Sequence, residues 1–443
     1  MSNKPASPDD LLHPTKISPM QWLILFLCMV ASMIEGFDIV IISYTAPAIS
    51  EDLAVSPSEL GIVFSAGLFG MAFGAMLLGG LSDKFGRKTV VSTALLIAGL
   101  GTLAVAYSAS VTQLVVWRVT AGLALGALIA TLPALVGEFS PLKYRTLVIA
   151  VLLAAANFGG FAGGLIVAEI IVDAGWRAIF MYTGGLTIAT AVVVQFLVPE
   201  SIAFVIQRGR ERVLAKVNRT LAYVGQSAVA ELPQVAEARK REPATVKSLL
   251  THGRGRTTLL LWSAFFLAFL TVYFISSWMP KVLTGAGLSQ QAAIQGTTAL
   301  PAGAIFGNIL IGWLATWWPL KRILIGAFII GGICMATLSG VHQSLASMPF
   351  YLIWLMLLVT GSAMFGAFGN LYNVAMIVYP VQVRGTGLGW AAGLGRTGAV
   401  LSPSLAGVMM AAGFSMPSLF FYFALPAFAA GLCVAFIGMR EMD

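Results

Sequence analysis

Hydrophobic positions along this chain come in long blocks, with no period-two alternation. Stretches of roughly eighteen or more mostly apolar residues are long enough to cross a bilayer core as helices. They fall at about 21–48, 58–80, 89–108, 111–137, 146–170 and 177–198, and again at about 257–280, 291–316, 321–340, 349–378, 385–411 and 417–438. One long polar segment, 199–256, separates the two sets of six. Its charged blocks, among them Arg208, Arg210, Arg212 and Arg239-Lys240-Arg241, predict short amphipathic surface helices on a linker. The apolar run from Met20 is too long for the core of a cleaved signal peptide, so it predicts a retained first span. The pattern reads as an all-α polytopic membrane protein with twelve transmembrane helices in two pseudo-symmetric six-helix bundles. The bundles are 21–198 and 257–438, with tails at 1–20 and 439–443.

The two sets of six are related to each other. Gly79, Asp83 and Lys88 correspond to Gly312, Thr316 and Lys321 at an offset of 233, and Gly122, Pro141 and Arg145 correspond to Gly361, Pro380 and Arg384 at an offset of 239. A single length change near the ninth or tenth span reconciles the offsets. Weak internal symmetry of this kind is expected of a transporter built from two bundles around a central cavity.

Composition agrees: 10% of residues are charged, 58% are hydrophobic and the mean hydropathy is +0.90. A soluble chain is usually about 25% charged. The formal charge of +8 gains meaning from its placement. With an even number of spans both termini share one side, and that side holds all but four of the 26 lysines and arginines, the exceptions being Arg118, Arg177, Lys281 and Arg396. The positive-inside rule then places both termini in the cytoplasm, and a basic cytoplasmic face accounts for the charge without nucleic acid. Cys28, Cys334 and Cys433 lie far apart in apolar stretches and show neither a disulfide framework nor metal spacing. No metal or cofactor is expected.

The loop Gly79-Gly80-Leu81-Ser82-Asp83-Lys84-Phe85-Gly86-Arg87-Lys88 joins the second and third spans. Gly86 permits a tight turn. Asp83, an anion at the membrane surface, can bond to a helix start or pair with Arg87 or Arg145, contacts that would hold the halves closed on the cytoplasmic side. This loop resembles the signature of the major facilitator superfamily, and the resemblance covers essentially the whole chain. Supporting it are Arg118-x3-Gly122-x3-Gly126, Gly137-Glu138 with Arg145 after it, and Pro199-Glu200-Ser201. The resemblance implies a cytoplasmic gate of Asp83, Gly86, Arg87, Lys88, Glu138 and Arg145. More narrowly, Glu35-Gly36-Phe37-Asp38 resembles the acid-Gly-x-acid motif in the first helix of the aromatic acid:proton symporter family, with glutamate where that family usually has aspartate. A substrate cavity between the halves, alternating access and location in a bacterial inner membrane follow from the resemblance.

Ionisable groups inside a membrane are costly and point to function. Four stand out: Glu35 and Asp38 in the first span, Arg118 in the fourth and Arg396 in the eleventh. Glu35 and Asp38 are three apart and share a helix face. Counting ~1.5 Å per residue, Asp38 and Arg118 lie at similar depth, so they can pair if their helices meet. Asp38, Glu35 and Arg118 are the proton-coupling candidates, with Asp38 the expected proton carrier and Glu35 its expected companion. His13, His252 and His342 lie outside the predicted spans, which disfavours a histidine relay. Arg396, whose guanidinium can grip a carboxylate with two hydrogen bonds, is the expected substrate anchor. Asn157 at the symmetry-related position, Arg118 and Tyr273 are its expected partners. Trp278 is expected in an interfacial aromatic belt, Glu169 and Asp173 as solvated acids at the outer surface, and Gly159-Gly160-x2-Gly163-Gly164 as a close helix contact. The function expected is proton-coupled import of small aromatic carboxylates by a monomer. The alternative is the same fold carrying an aliphatic acid, a sugar or a drug, with export included. An intramembrane enzyme lacks its ligands, and an ATP-driven pump its nucleotide loop.

Overall fold

The computed structural model describes residues 17–209, 213–232, 246–251, 253–380 and 382–438. Lys4, His13, Lys16, Arg210, Arg212, Arg239, Lys240, Arg241, His252 and Arg440 lie outside the described residues. Four long helices open the chain: α1 Pro19–Asp52, α2 Pro57–Leu78, α3 Arg87–Val105 and α4 Val111–Phe139. A helical run of 53 residues, Arg145–Leu197, follows. At ~1.5 Å per residue it would stretch about 80 Å, far beyond a bilayer. It folds back at Gly175 (φ 72°, ψ 170°), a conformation that glycine reaches at no steric cost. That turn divides it into α5 (145–174) and α6 (176–197).

The second half repeats the plan with α7 Gly255–Gly285, α8 Gln290–Leu314, α9 Leu320–Val341, α10 Phe350–Val378, α11 Arg384–Ala411 and α12 Met416–Phe436. Among the described residues ten helical segments are long and apolar enough to cross a membrane. Taking α5 and α6 separately, and adding α11, gives twelve crossings in a multi-pass membrane protein. Glycine, serine and threonine, with Arg396, keep α11 below the apolar threshold. Its ends still lie within a residue of the predicted span. Hydropathy did not foresee the break in α8 at Thr298. Pro301 has no N–H to give the carbonyl of Thr297, which is reason enough for it. In the linker region, Ile202–Gln207, Val213–Tyr223 and Val246–Leu250 form short helices. Val217 and Leu221, one turn apart, bury the apolar face of the second.

Helix ends must satisfy their own N–H groups where water is scarce. Serines do this repeatedly. Ser18 and Ser56 cap α1 and α2 in reciprocal boxes with Gln21 and Glu59, and Ser110, Ser289 and Ser415 cap α4, α8 and α12. Within each half, α1 packs on α5, α2 on α4, α7 on α11 and α8 on α10; across the halves α2 meets α11, α1 meets α7 and α5 meets α8. Glycine makes the α1–α5 contact possible. A Cβ on Gly36 would strike the backbone of Ala156, and one on Gly159 the backbone of Met33. The glycine pairs of α5 therefore do pack helices closely.

Call the end bearing the linker the near end and the opposite one the far end. Among the described residues, several hydrogen bonds join the halves in the far half of the helices. Ser43 Oγ donates to the carbonyls of Ser276 (2.7 Å) and Ser277 (2.8 Å). Ser65 Oγ donates to Val400 O (2.6 Å) and lies 2.7 Å from Ser404 Oγ. Glu169 accepts from Gln295 (3.0 Å) and Gln291 (3.3 Å), so it bridges α5 and α8 and is more than a solvated acid. Trp278 is likewise no belt residue. It is 1% exposed, its indole N–H donates to Pro403 O (3.3 Å), and its ring meets Phe64 edge-on across the halves. A tryptophan near a helix end reads as interfacial until the neighbouring helices are known.

Candidate functional site

Asp38 is 2% exposed and fully engaged. Arg118 Nη1 donates to its Oδ1 (2.8 Å), Thr102 Oγ1 donates to its Oδ2 (2.6 Å), and Arg118 Nη2 donates to its backbone carbonyl (3.0 Å). The ion pair thus links α1, α3 and α4 within the first half. Arg118 is 3% exposed, and Gly67 makes room for it, since a Cβ there would lie 3.0 Å from Nη2. A buried pair of this kind holds only while both partners remain. The depth expected for Asp38 and Arg118 from residue counting is the depth at which they meet. Thr102 gave no such signal, being one threonine in an apolar helix.

Glu35 is also buried, but among the described residues it makes no hydrogen bond or ion pair within 4.0 Å. Although it stands only three residues from Asp38, it does not share Asp38's partners. Its Coulombic neighbours are Arg396 and Asp38. Arg396, half-buried on α11, likewise has no ion pair or side-chain hydrogen bond among the described residues, and interacts electrostatically with Glu35, Tyr273 and Tyr372. Gly395 lets α11 lie against the rings of α7, with its Cβ position 2.6 Å from Phe269.

The charge is distributed unevenly between the halves. From Pro243 to Arg440 the sequence contains no aspartate or glutamate. Arg396 therefore has no carboxylate in its own bundle, and the nearest intramembrane acid, Glu35, belongs to the other half.

Aromatic side chains from α7 and α10 lie in the neighbourhood of this cation. Phe269 stacks on Tyr273 (centroids 5.8 Å, interplanar angle 9°), Phe368 meets Phe269 edge-on at 4.6 Å, and Phe265 meets Tyr372 edge-on at 5.1 Å. Beside them a cavity of about 150 Å³ opens between the halves, its walls including Tyr44, Asn157, Tyr273, Ser276, Phe365 and Phe368. The structure therefore brings Asn157 and Tyr273 into one cavity, with Arg396 adjoining it through Tyr273. Arg118, occupied by Asp38, does not line that cavity but borders a much smaller space that shares Tyr273 and Ser276 with it. Tyr372 and Phe368 were not singled out in the sequence, since α10 holds several aromatic residues and spacing alone does not mark which rings turn inward, although Asn370 and Asn373 beside Tyr372 are polar residues in that span.

At the near end, Arg87 pairs with Asp83 (3.1 Å) and reaches Glu138 Oε1 (3.2 Å). These contacts lie within the first half and do not bridge the halves. The start of α3 is served by Glu200 and not by Asp83: Glu200 Oε1 accepts from Lys88 N–H (3.0 Å). Gly86 (φ 102°) is packed against the Glu200 carboxyl, so a side chain at 86 would be both strained and blocked. Arg145 packs under Gly137.

A family model described as Major Facilitator Superfamily matches residues 28–403. The chain is similar to a gallate transporter of Pseudomonas putida, 31% identical over 431 residues, covering 97% of this chain and 94% of that protein. It is similar to the 4-hydroxybenzoate transporter PcaK of Acinetobacter baylyi, 31% identical over 431 residues, covering 96% and 92%. Among solved structures it is similar to the inward open conformation of the xylose transporter XylE from E. coli, with a TM-score of 0.74 at 17% identity, covering 96% of this chain and 98% of that one.

Proposed function

The chain belongs to the major facilitator superfamily, and from that premise we propose that it is a proton-coupled symporter importing small aromatic carboxylates of the hydroxybenzoate kind. The observation that carries the reading is Arg396: an uncommitted guanidinium in an acid-free bundle, with Tyr273 and Tyr372 as electrostatic neighbours beside the cavity. A guanidinium binds a carboxylate through two charge-assisted hydrogen bonds, aromatic rings bind a benzene ring, and Asn157 and Tyr273 offer hydrogen bonds to ring hydroxyls. The gallate and 4-hydroxybenzoate transporters among the relatives carry cargo of this chemistry in their names.

Sidedness follows from the basic residues. The near end, with Lys84, Arg87, Lys88, Lys143, Arg145, Lys321, Arg322 and Arg384, is the cytoplasmic one, so both termini are cytoplasmic; the likeness to bacterial transporters supports the bacterial inner membrane as the location. With the halves joined at the far end, the molecule faces the cytoplasm. One chain forms the whole cavity, so a monomer suffices.

Coupling runs through Glu35. Protonating Asp38 would deprive Arg118 and Thr102 of their acceptor, whereas protonating Glu35 breaks no hydrogen bond. Arg396 is the counter-charge across the cavity from Glu35, and a substrate carboxylate competes for it. Once substrate holds Arg396, Glu35 loses its compensation and takes a proton, since burial disfavours an unpaired charge. The loaded site is then closer to neutral, which lowers the cost of closing the halves over it. Asp38, Thr102 and Arg118 hold α1 in place for this exchange, and Asp83, Arg87, Lys88, Glu138 and Arg145 with Gly86 form the cytoplasmic gate region. The test is uptake of radiolabelled 4-hydroxybenzoate into proteoliposomes. Accumulation should require an inward-directed proton gradient and be competed by gallate and benzoate but not by xylose. Gradient-independent uptake, or competition by xylose alone, would overturn the reading.

A further inference from the structure

A second cavity lies on the outer wall of the C-terminal bundle, away from the substrate site. It is a cleft of about 690 Å³ between α8, α9 and α10. Its floor is made of small residues, Gly307, Gly326 and Ala363, and its rim of exposed apolar side chains such as Phe306 and Ile330. From Arg322 to Ile330 it runs about 12 Å along α9 by the helical rise. All of its lining is apolar except Ser362 and, at the near end, Arg322. Trp317 and Trp318 are 62% and 63% exposed at that same end, the level of the membrane–water interface where indoles collect.

Arg322 is exposed, and among the described residues its side chain makes no hydrogen bond or ion pair, whereas its neighbour Lys321 is tied to Ile437 O (2.9 Å). The acid-free sequence from Pro243 to Arg440 denies it a carboxylate within the bundle. An apolar slot long enough for a stretch of hydrocarbon, closed at its interfacial end by one unpaired guanidinium, is complementary to a molecule with a fatty chain and an anionic head. We propose that this cleft is a binding site for an anionic glycerophospholipid. One acyl chain lies along Gly326 and Gly307, and the headgroup phosphate sits on Arg322. The site is distinct from the substrate cavity, and a basic residue near the cytoplasmic membrane surface is where anionic lipid is drawn.

Two substitutions separate the parts of the site. Arg322→Gln removes the charge and leaves the slot. Gly326→Leu fills the slot and leaves the charge, because a Cβ at Gly326 meets nothing within 4 Å and leucine favours a helix. Delipidated full-length protein in detergent is titrated with phosphatidylglycerol or phosphatidylcholine, and bound lipid and subunit number are read by native mass spectrometry alongside the melting temperature. For wild type, phosphatidylglycerol is expected to bind and to raise the melting temperature more than phosphatidylcholine does. Half-saturation of Arg322→Gln should need about fivefold more phosphatidylglycerol, the ratio expected from one basic residue near a membrane surface. Gly326→Leu should retain neither lipid at the site, and Lys143→Gln should behave as wild type. Equal retention of phosphatidylglycerol by wild type and both cleft variants would overturn the proposal. So would a dimer that Gly326→Leu dissociates, which would make a second copy the occupant. Each of these readings is independent of transport, so failure of the substrate assignment would leave this result standing.

Discussion

Glu35 and Asp38 stand three residues apart on α1, yet only one of them is free to change its charge. Asp38 is committed to Arg118 and Thr102, so Asp38→Asn leaves a guanidinium buried without its counter-ion. The expected loss is about 3–5 kcal/mol of stability, seen as a large fall in the melting temperature in detergent; an unchanged melting temperature would contradict the structural role assigned to the pair. Glu35→Gln removes no hydrogen bond and should fold normally. It should keep substrate counterflow and lose gradient-driven accumulation, a separation of exchange from coupling that loss of structure would not produce. Arg396→Ala should weaken substrate affinity about ten- to hundredfold, the worth of hydrogen bonds to a charged group, with wild-type affinity as the contrary result. The sequence was informative here in an uneven way. Intramembrane charges announce themselves because so few are tolerated, and the depth arithmetic brought Asp38 to Arg118. Which acid stays uncommitted depends on Thr102 and on the orientation of α1, neither of which is encoded in spacing.

Helix contacts explain several residues that carry no chemistry. Gly36, between the two acids of α1, is where the backbones of α1 and α5 meet. Gly36→Leu would force them apart and should reduce the yield of monodisperse protein on size exclusion, whereas Gly185→Leu, at a site with open space, should not. Blocks of apolar residues located eleven of the helices to within a few residues of their ends and located α11 as well, despite its glycines and Arg396. The break at Thr298 escaped them, because it is a backbone event inside a continuous apolar stretch, whereas the turn at Gly175 falls in the gap between the spans expected at 146–170 and 177–198. Trp278 was misread for a related reason: it sits near a helix end, where lipid interface is the expected surrounding, and neighbouring helices of both halves bury it instead; Glu169 is exposed as expected but also accepts hydrogen bonds from α8. The serine contacts of α1 with α7 and α2 with α11 lie in the far half of those helices. They must break if the cavity is to open on that side.

The whole molecule is electrically asymmetric in two directions. Across the membrane, the basic residues gather at the near end, which predicts that Lys143→Cys is labelled by an impermeant maleimide only after cells are permeabilised, while Gly285→Cys, at the far end, is labelled in intact cells. The reverse pattern would invert the topology. Between the halves, every intramembrane carboxylate belongs to the first bundle, while the second offers cations alone. In the proposed mechanism, substrate anion and proton meet at the boundary where Arg396 and Glu35 interact from different halves, which is where a coupling device has to sit if binding is to bias the motion of one half against the other. The most direct test is to follow protons and substrate together. In lightly buffered wild-type proteoliposomes with no imposed gradient, adding 4-hydroxybenzoate outside should draw protons inward with the substrate, raising the external pH beyond the drift seen in protein-free vesicles. In Glu35→Gln vesicles the labelled substrate should still exchange while this proton movement disappears. Substrate entry through the wild-type protein with no accompanying proton movement would contradict the account.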